Sequence, residues 1–479
     1  MLSKTKFLKI TALMTLICFS VSVGPTAALT ISEERDLGRE FIKHARQAYL
    51  FVEDPFVNDY INRLGQRLVA AFPEQPFIFH FYVINNPVYN AFAAPGGYVF
   101  VHSGLISAME TEEELAGILS HEIAHVYCRH LSERIDQSKM LSLATLAGIT
   151  AGIFLGSGAL AIGSAAAGQA AGLAYSRQDE RQADQVGVQY LAAAGYSARG
   201  LLTMLKKIKE KHWFSEQEMP TYLTTHPGTE ERIIYIDTLL ASDRYRPENQ
   251  QQTAVNNEFS MARIIIAATC DDVDIALNQI KSRLERDQED ALAHFGYALA
   301  LSRKARHQEA IAHLQMALQG KIFPSRIATA LGVEYVLAGY YDKAMQLFET
   351  TTPPPYRDDR RQLYWAEAAE KTGQTEKSIA LLEDLIDKKS DLPEAVYALG
   401  MVYGKNDRPD KAHYYLGLYY YDLHDQKNAL FHLEKALELT SDPGERKNIQ
   451  DLIQTTKKEG GRPLPQSTFS GHHFNRILN

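Results

Sequence analysis

Apolar positions change their spacing several times along the chain, and each change marks a different kind of structure. Residues 31–72 place them at helical intervals. Asp54-Pro55 has the form of an N-cap with proline at the first helical position, and Phe56, Tyr60, Ile61, Leu64 and Leu68 follow on one face. From 77 to 101 the period shortens. Phe77 to Asn85 is dense in aromatic and β-branched residues, while Val88 to Ala94 and Tyr98 to Val101 flank Pro95-Gly96-Gly97. This predicts two or three strands with a tight connection. Thr111 and Glu114 then form a capping box ahead of an apolar run from Leu115, which predicts a long helix to about Arg134. Helices resume from Arg177 to about Ser242, and the polar stretch 243–256 reads as a linker.

Beyond that linker the pattern repeats. The small residues Ala276, Ala310, Ala344, Ser378 and Ala412 recur at intervals of 34, and four positions after each stands Ile280, Leu314, Phe348, Leu382 or Leu416. Leu331, Trp365 and Leu399 precede three of these anchors by 13. A period of 34 with this small/large alternation is the tetratricopeptide signature, in which helix pairs stack because one pair cannot bury its apolar face alone. One irregularity breaks the register. Leu416, Gly417 and Tyr420 begin a first-helix pattern that leads to Ala429, Leu433 and Ala436, an offset of 17, so one helix serves two repeats. The array is expected over 257–456. Residues 457–479, with Gly-Gly, two prolines and few apolar positions, read as a disordered tail, and His472-His473 as solvated members of it.

The N-terminus has the layout of a cleavable export signal over residues 1–28. Lys4, Lys6 and Lys9 precede an uncharged run from Ile10 to Val23, and Gly24-Pro25-Thr26-Ala27-Ala28 offers small residues for cleavage. The run is shorter than the ~20 residues of a membrane span, although an uncleaved anchor is the alternative. Export implies a periplasmic or secreted protein. A second apolar stretch, 140–176, has no charged residue, seven glycines and eleven alanines. It is expected to be a buried or surface-apposed cover, with peripheral, re-entrant membrane contact as the minority reading. Net charge is −8, which supplies no global basic excess for phosphate neutralisation and argues against a nucleic-acid partner. Three cysteines, Cys18, Cys128 and Cys270, exclude a disulfide-stapled scaffold and a four-thiolate zinc site. Any metal must be held mainly by histidine and carboxylate.

Residues of that kind are present at the right spacing. His121-Glu122-Ile123-Ala124-His125 is an H-E-x-x-H motif. On a helix the two imidazoles point the same way, and each can reach a Zn²⁺ at about 2.0–2.1 Å. Glu122 projects into the same cleft, where it can take a proton from a zinc-activated water whose pKa falls toward ~7. Downstream, Glu180 and Asp184 are four apart on one predicted helix face. Glu180 can complete a set of two histidines and one glutamate. Asp184 can accept a hydrogen bond from a ligating imidazole or donate a proton during turnover. Asp179 is a decoy beside them. His130, five residues past His125, falls largely off the ligand face of a continuous helix, and His102 sits at a strand end; neither displaces Glu180.

This set resembles the gluzincin metallopeptidases of the CAAX-prenyl-protease type, nearest the branch of periplasmic beta-barrel assembly-enhancing proteases. The resemblance rests on Asn90-Ala91-Phe92-Ala93-Ala94-Pro95-Gly96-Gly97, on His121 to Val126 with Arg129-His130 after it, on Glu180-Arg181-Gln182-Ala183-Asp184, and on Thr225-His226-Pro227. It implies one zinc ion per chain held by His121, His125 and Glu180, with Glu122 as general base. It implies a mainly α fold: a helical zinc-metalloprotease domain with a small β-sheet over 29–242, followed by an α-solenoid of tetratricopeptide repeats. His226 is expected near the metal, as a fourth ligand or an oxyanion donor. The strand region from Phe92 to Val101 is expected to pair with an extended substrate, a plain structural hairpin being the alternative. The function implied is a periplasmic endopeptidase that degrades misassembled outer-membrane proteins, its repeats engaging clients or the barrel assembly machinery. A non-proteolytic assembly chaperone or adaptor with a structural zinc is the competing expectation.

Overall fold

The computed structural model describes residues 29–137, 175–214, 221–241, 257–388 and 392–459. The expected export signal, the linker, the uncharged stretch up to Ala174 and the tail beyond Glu459 lie outside these residues.

Helix α1 (Ile31–Ala48) starts from a complete capping box of Thr30 with Glu33 and buries Leu37, Phe41 and Ala45. Helix α2 (Pro55–Val69) starts as its sequence requires, with the Asp54 carboxylate accepting from the Phe56 and Val57 amides, a cap worth about 1 kcal/mol. Three strands follow: β1 (His80–Ile84), β2 (Ala91–Ala94) and β3 (Tyr98–His102). Their order is β1-β3-β2, with β1 parallel and β2 antiparallel to β3. The Pro95-Gly96-Gly97 turn joins β2 to β3, and Gly96 and Gly97 take φ values of 80° and 92°, which disfavour any side chain. Alternation splits the sheet residues between two cores. Phe92, Phe100 and Ala94 pack with Phe41 of α1, while Ala91, Ala93, Val99 and Val101 join the main core.

A short α3 (Ser103–Ala108) leads into α4 (Glu112–Tyr127), whose residues from Glu114 to Val126 are all buried. A helix apolar on all sides belongs in the middle of a domain. Accordingly α4 packs against α2, β2 and the later helices α6 (Arg177–Ala193) and α7 (Arg199–Phe214). Two details differ from the sequence reading. Thr111 accepts from the Glu114 amide, but the Glu114 carboxylate goes instead to the Glu110 amide at 2.6 Å and to Lys207 at 2.8 Å. The long helix also stops at Tyr127, with Cys128 as its C-cap, rather than running to Arg134. Arg129 takes a left-handed conformation (φ 57°) and a separate helix α5 (His130–Gln137) follows. The Arg129 guanidinium pairs with buried Glu34, which anchors the break. Two small helices complete this part, α8 (Thr221–Thr225) and α9 (Thr229–Ala241).

The remainder is helical throughout: α10 (Asn257–Cys270), α11 (Val273–Arg286), α12 (Ala291–Arg303), α13 (His307–Gln319), α14 (Pro324–Leu337), α15 (Tyr341–Thr350), α16 (Asp359–Lys371), α17 (Thr375–Asp387), α18 (Pro393–Lys405), α19 (Pro409–Asp422), α20 (Gln426–Leu439) and α21 (Pro443–Glu459). The five small anchors fall on α11, α13, α15, α17 and α19, and all are buried. Helix α19 packs against both α18 and α20, and Ala429, Leu433 and Ala436 of α20 are fully buried, as the half-repeat offset requires. The first repeats dock on the preceding domain. Helix α10 packs on α2 and α3. The Phe56 ring meets Phe323 and Tyr356 edge-on at centroid distances of 5.3 and 6.0 Å, and Arg326 pairs with Asp54 beside it. One apolar cluster runs through both parts. The expected class is therefore the observed one, mainly α with a small sheet and a repeat solenoid. Cys128 and Cys270 are free thiols.

Candidate metal centre

Helix α4 brings His121 and His125 to one face with their Nε2 atoms 3.0 Å apart. Helix α6 crosses α4 where Gly187 lies against it. A β-carbon on Gly187 would come within 3.3 Å of His121 Cα, and Ser120 Oγ donates to Gly187 O at 2.9 Å. This close crossing lets the first turns of α6 carry Glu180 and Asp184 up to the histidines. Glu180 Oε2 lies 3.4 Å from His121 Nε2, and Glu180 Oε1 lies 3.4 Å from His125 Nε2. The separations of 3.0, 3.4 and 3.4 Å, the last two to different oxygens of the Glu180 carboxylate, are of the order of the ~3.3 Å between ligands that zinc-ligand bonds of about 2.0–2.1 Å give in a tetrahedral site. The donor set is two imidazole nitrogens and one carboxylate oxygen, all essentially without solvent exposure. Its chemistry and spacing fit a zinc ion.

His226 enters from the end of α8. Its Nδ1 is 2.9 Å from Glu180 Oε1, and among the described residues it completes the one group of four whose ligand atoms all lie within 4.8 Å of one another. The Nε2 of His226 is 3.7 Å from Glu122 Oε1. That nitrogen and both Glu122 oxygens are buried without a hydrogen-bond partner among the described residues. Polar atoms orphaned together in a buried place mark room for a group that would satisfy them. Burial pushes the Glu122 carboxyl above its ordinary value, and Glu180 raises it further, while His226, His121 and Arg232 oppose.

The far sides of the imidazoles are also occupied. Asp184 Oδ1 is 3.0 Å from His121 Nδ1. His130 Nδ1 is 2.9 Å from His125 Nδ1, and His130 Nε2 is 3.2 Å from Gln182 Oε1. With protons on His121 Nδ1 and His125 Nδ1, both Nε2 lone pairs face the centre. Tyr175 stacks on His125 at 3.8 Å and Tyr222 on His226 at 4.3 Å, which fixes the ring planes. Burial works against ionisation of Asp184, but Arg232 and His121 outweigh it and hold the carboxyl below its ordinary value. Asp179 lies outside this group; it closes a capping box with Ser176 and pairs with Arg134 at 2.6 Å. His102 is also apart, buried at the end of β3 against Phe92.

Sequence reasoning gave no role to Arg232, Tyr175 or Tyr222, and it placed His130 off the ligand face. His130 returns because α4 ends before it. Arg232 carried no local signal, since its partners lie on other helices. Next to the site, a small open depression is lined by Ala93, Ala94 and Pro95 of the sheet, with His125, Glu34 and Tyr175. The sheet order corrects one expectation. β3 is paired on both sides, so within 92–101 only the β2 segment lies at an edge of the sheet, the other edge being β1 with its isolated bridge to Phe51.

Comparison with known proteins agrees with this geometry. Residues 55–240 match the model of peptidase family M48, and residues 271–327 match a tetratricopeptide repeat model. The chain is 33% identical over 258 residues to a putative beta-barrel assembly-enhancing protease of Vibrio cholerae, covering 53% of this chain and 52% of that protein. It is 31% identical over 309 residues to the beta-barrel assembly-enhancing protease of Escherichia coli K12, covering 62% and 61%. It is 26% identical over 197 residues to the mitochondrial metalloendopeptidase OMA1 of Schizosaccharomyces pombe, covering 40% and 55%. The matches thus span between half and two thirds of each relative's length. Zinc dependence is the rule in family M48, and the donor set fits that metal. Residues 55–240 are a peptidase family M48 domain, and the chain that contains it continues into tetratricopeptide repeats.

Proposed function

We propose that this chain is a zinc-dependent endopeptidase of the periplasm that acts in outer-membrane β-barrel protein assembly and quality control, with residues 29–242 as the peptidase unit and 257–456 as the repeat unit. The observation that carries the reading is the Glu122 carboxylate, buried and unpartnered beside three convergent metal donors. A purely structural metal site has no use for a base at that place. His121, His125 and Glu180 are the proposed ligands.

A bound zinc ion supplies Lewis acidity, which polarises a peptide carbonyl and makes water nucleophilic at neutral pH. Glu122 accepts the proton of the attacking water at its carboxylate and delivers it to the departing amide nitrogen. His226 Nε2, facing Glu122, either ligates the metal or donates to the developing oxyanion. Asp184 fixes the His121 tautomer; its depressed carboxyl favours this positioning role over proton donation. An extended substrate adds along the outer edge of β2, Ala91 to Ala94, beside the depression lined by Ala93, Ala94 and Pro95. The relatives' names motivate the outer-membrane substrates and the assembly machinery as partner of the repeats. No described helix is long and apolar enough to cross a membrane.

The test is Glu122→Gln, assayed for zinc content and for degradation of unfolded barrel proteins. Wild-type zinc with hydrolysis reduced by about 10²–10⁴ supports the reading. Undiminished hydrolysis removes Glu122 as the base.

A further inference from the structure

We infer that Arg232 is a positioning residue for the metal centre, a clamp that holds both the third ligand and the carboxylate behind the first histidine. The inference rests on the zinc reading above and goes beyond the ligand set. Arg232 belongs to the first turn of α9 and is 3% exposed. Its Nε donates to Asp184 Oδ2 and its Nη2 to Asp184 Oδ1, each at 2.8 Å. The remaining nitrogen, Nη1, forms an ion pair with Glu180 Oε2 at 2.7 Å. One planar group therefore spans two carboxylates four residues apart on α6. Asp184 in turn meets His121 at 3.0 Å, so the position of a histidine ligand and that of the glutamate ligand are set by the same guanidinium.

The charges support the same role. Glu122, Glu180 and Asp184 are three buried carboxylates, and among the described residues Arg232 is the one buried arginine contacting two of them. With Arg232 and one divalent cation, the formal charge of this group is balanced. Without Arg232, Glu180 and Asp184 would repel each other across one helical turn, and the Glu180 carboxylate would keep His226 on Oε1 but lose the cation that holds Oε2 before the metal arrives. The guanidinium fork suits this geometry because it bonds one carboxylate through two nitrogens while presenting a third to the other. An ammonium group keeps the charge but not the fork.

The position of Arg232 explains how α9 is tied to the site. Helix α9 follows His226-Pro227-Gly228, so among the described residues the two polar side chains that reach Glu180 from outside α4 and α6, His226 on Oε1 and Arg232 on Oε2, come from one short segment. The Arg232 amide donates to Gly228 O at 2.9 Å, which places it in that first turn.

The experiment compares full-length wild type with Arg232→Lys and Arg232→Gln, reading zinc affinity by chelator competition and helical content and melting of the metal-free chains. Roughly ten- to hundred-fold weaker zinc binding in both variants, with Lys no better than a partial rescue, is expected. Zinc affinity equal to wild type in Arg232→Lys overturns the clamp, as does tighter binding in Arg232→Gln, which would mean that the arginine opposes the cation. If the arginine variants are unfolded without metal, Asp184→Asn tests the same clamp from its other side: weakened zinc binding supports it and wild-type affinity overturns it. A wild-type chain that takes up no zinc overturns the metal-site reading itself, and this inference with it.

Discussion

At the scale of single residues, a dense group of buried polar side chains lies around the metal donors, and His102 is a buried titratable residue apart from it. His102 is fully buried, with neither ring nitrogen hydrogen-bonded among the described residues. Burial pushes its pKa down to about 4, against about 6.5 in an unfolded chain. The folded form therefore requires the neutral ring. This contribution to stability is complete above about pH 6.5 and is lost as pH falls from there through about 4, because the unfolded chain takes up a proton that the folded chain refuses. The loss by about pH 5 is on the order of 2 kcal/mol. Denaturant unfolding at about pH 7.5 and pH 5 should show a larger loss for wild type than for His102→Leu. Equal losses in the two proteins would contradict the neutral buried histidine. Near the metal donors the same physics is used differently. Glu180, Asp184 and Arg232 are paired there and stay ionised in spite of burial, whereas burial pushes the Glu122 carboxyl beside them up.

At the scale of elements, the critical feature is the crossing of α4 and α6. The absence of a side chain at Gly187 allows the approach that brings Glu180 to the paired histidines. Gly187→Val should push the helices apart, cost about 1–3 kcal/mol in stability and weaken zinc binding at the same time. Unchanged zinc affinity in a folded variant would show that the approach of the helices does not set the site. This level also shows what a sequence can and cannot disclose. The helical spacing from Phe56 to Leu68, the Asp54 cap and the 34-residue period are local or strictly periodic signals, and they lead directly to α2 and to the repeat helices. The H-E-x-x-H spacing likewise needs only one helix. His130 stays off the ligand face as its spacing predicts, but its contact with the far nitrogen of His125 has no mark in a continuous helix and arises because one left-handed residue, Arg129, turns the chain back. The central position of β3 depends on a parallel pairing with β1, which no turn residue announces. Arg232 depends on the return of α9 to α6, a tertiary event with no periodic mark.

At the scale of the whole molecule, the repeats and the peptidase unit share packing. Phe56 lies at the start of α2 and is 4% exposed, in contact with Phe323 and Tyr356 of the array. Phe323 takes a left-handed conformation (φ 47°) at the entry of α14, a costly backbone for an aromatic residue that the surrounding contacts hold in place. Phe56→Ala should destabilise by about 3–5 kcal/mol and lower the melting temperature of the full chain. Unaltered melting would mean that the two units are not joined through this contact. Docking of this kind gives the repeats a fixed direction relative to the β2 edge, so a partner held by the array would be presented to the site at a set distance.

Peptidase activity at this centre requires that His121, His125 and Glu180 hold one zinc ion. The direct measurement is metal analysis of the purified chain together with an anomalous difference map at the zinc edge. One zinc per chain, ligated by His121 Nε2, His125 Nε2 and a Glu180 oxygen, is the predicted result. A chain without zinc, or a zinc ion bound away from these three side chains, would contradict the account.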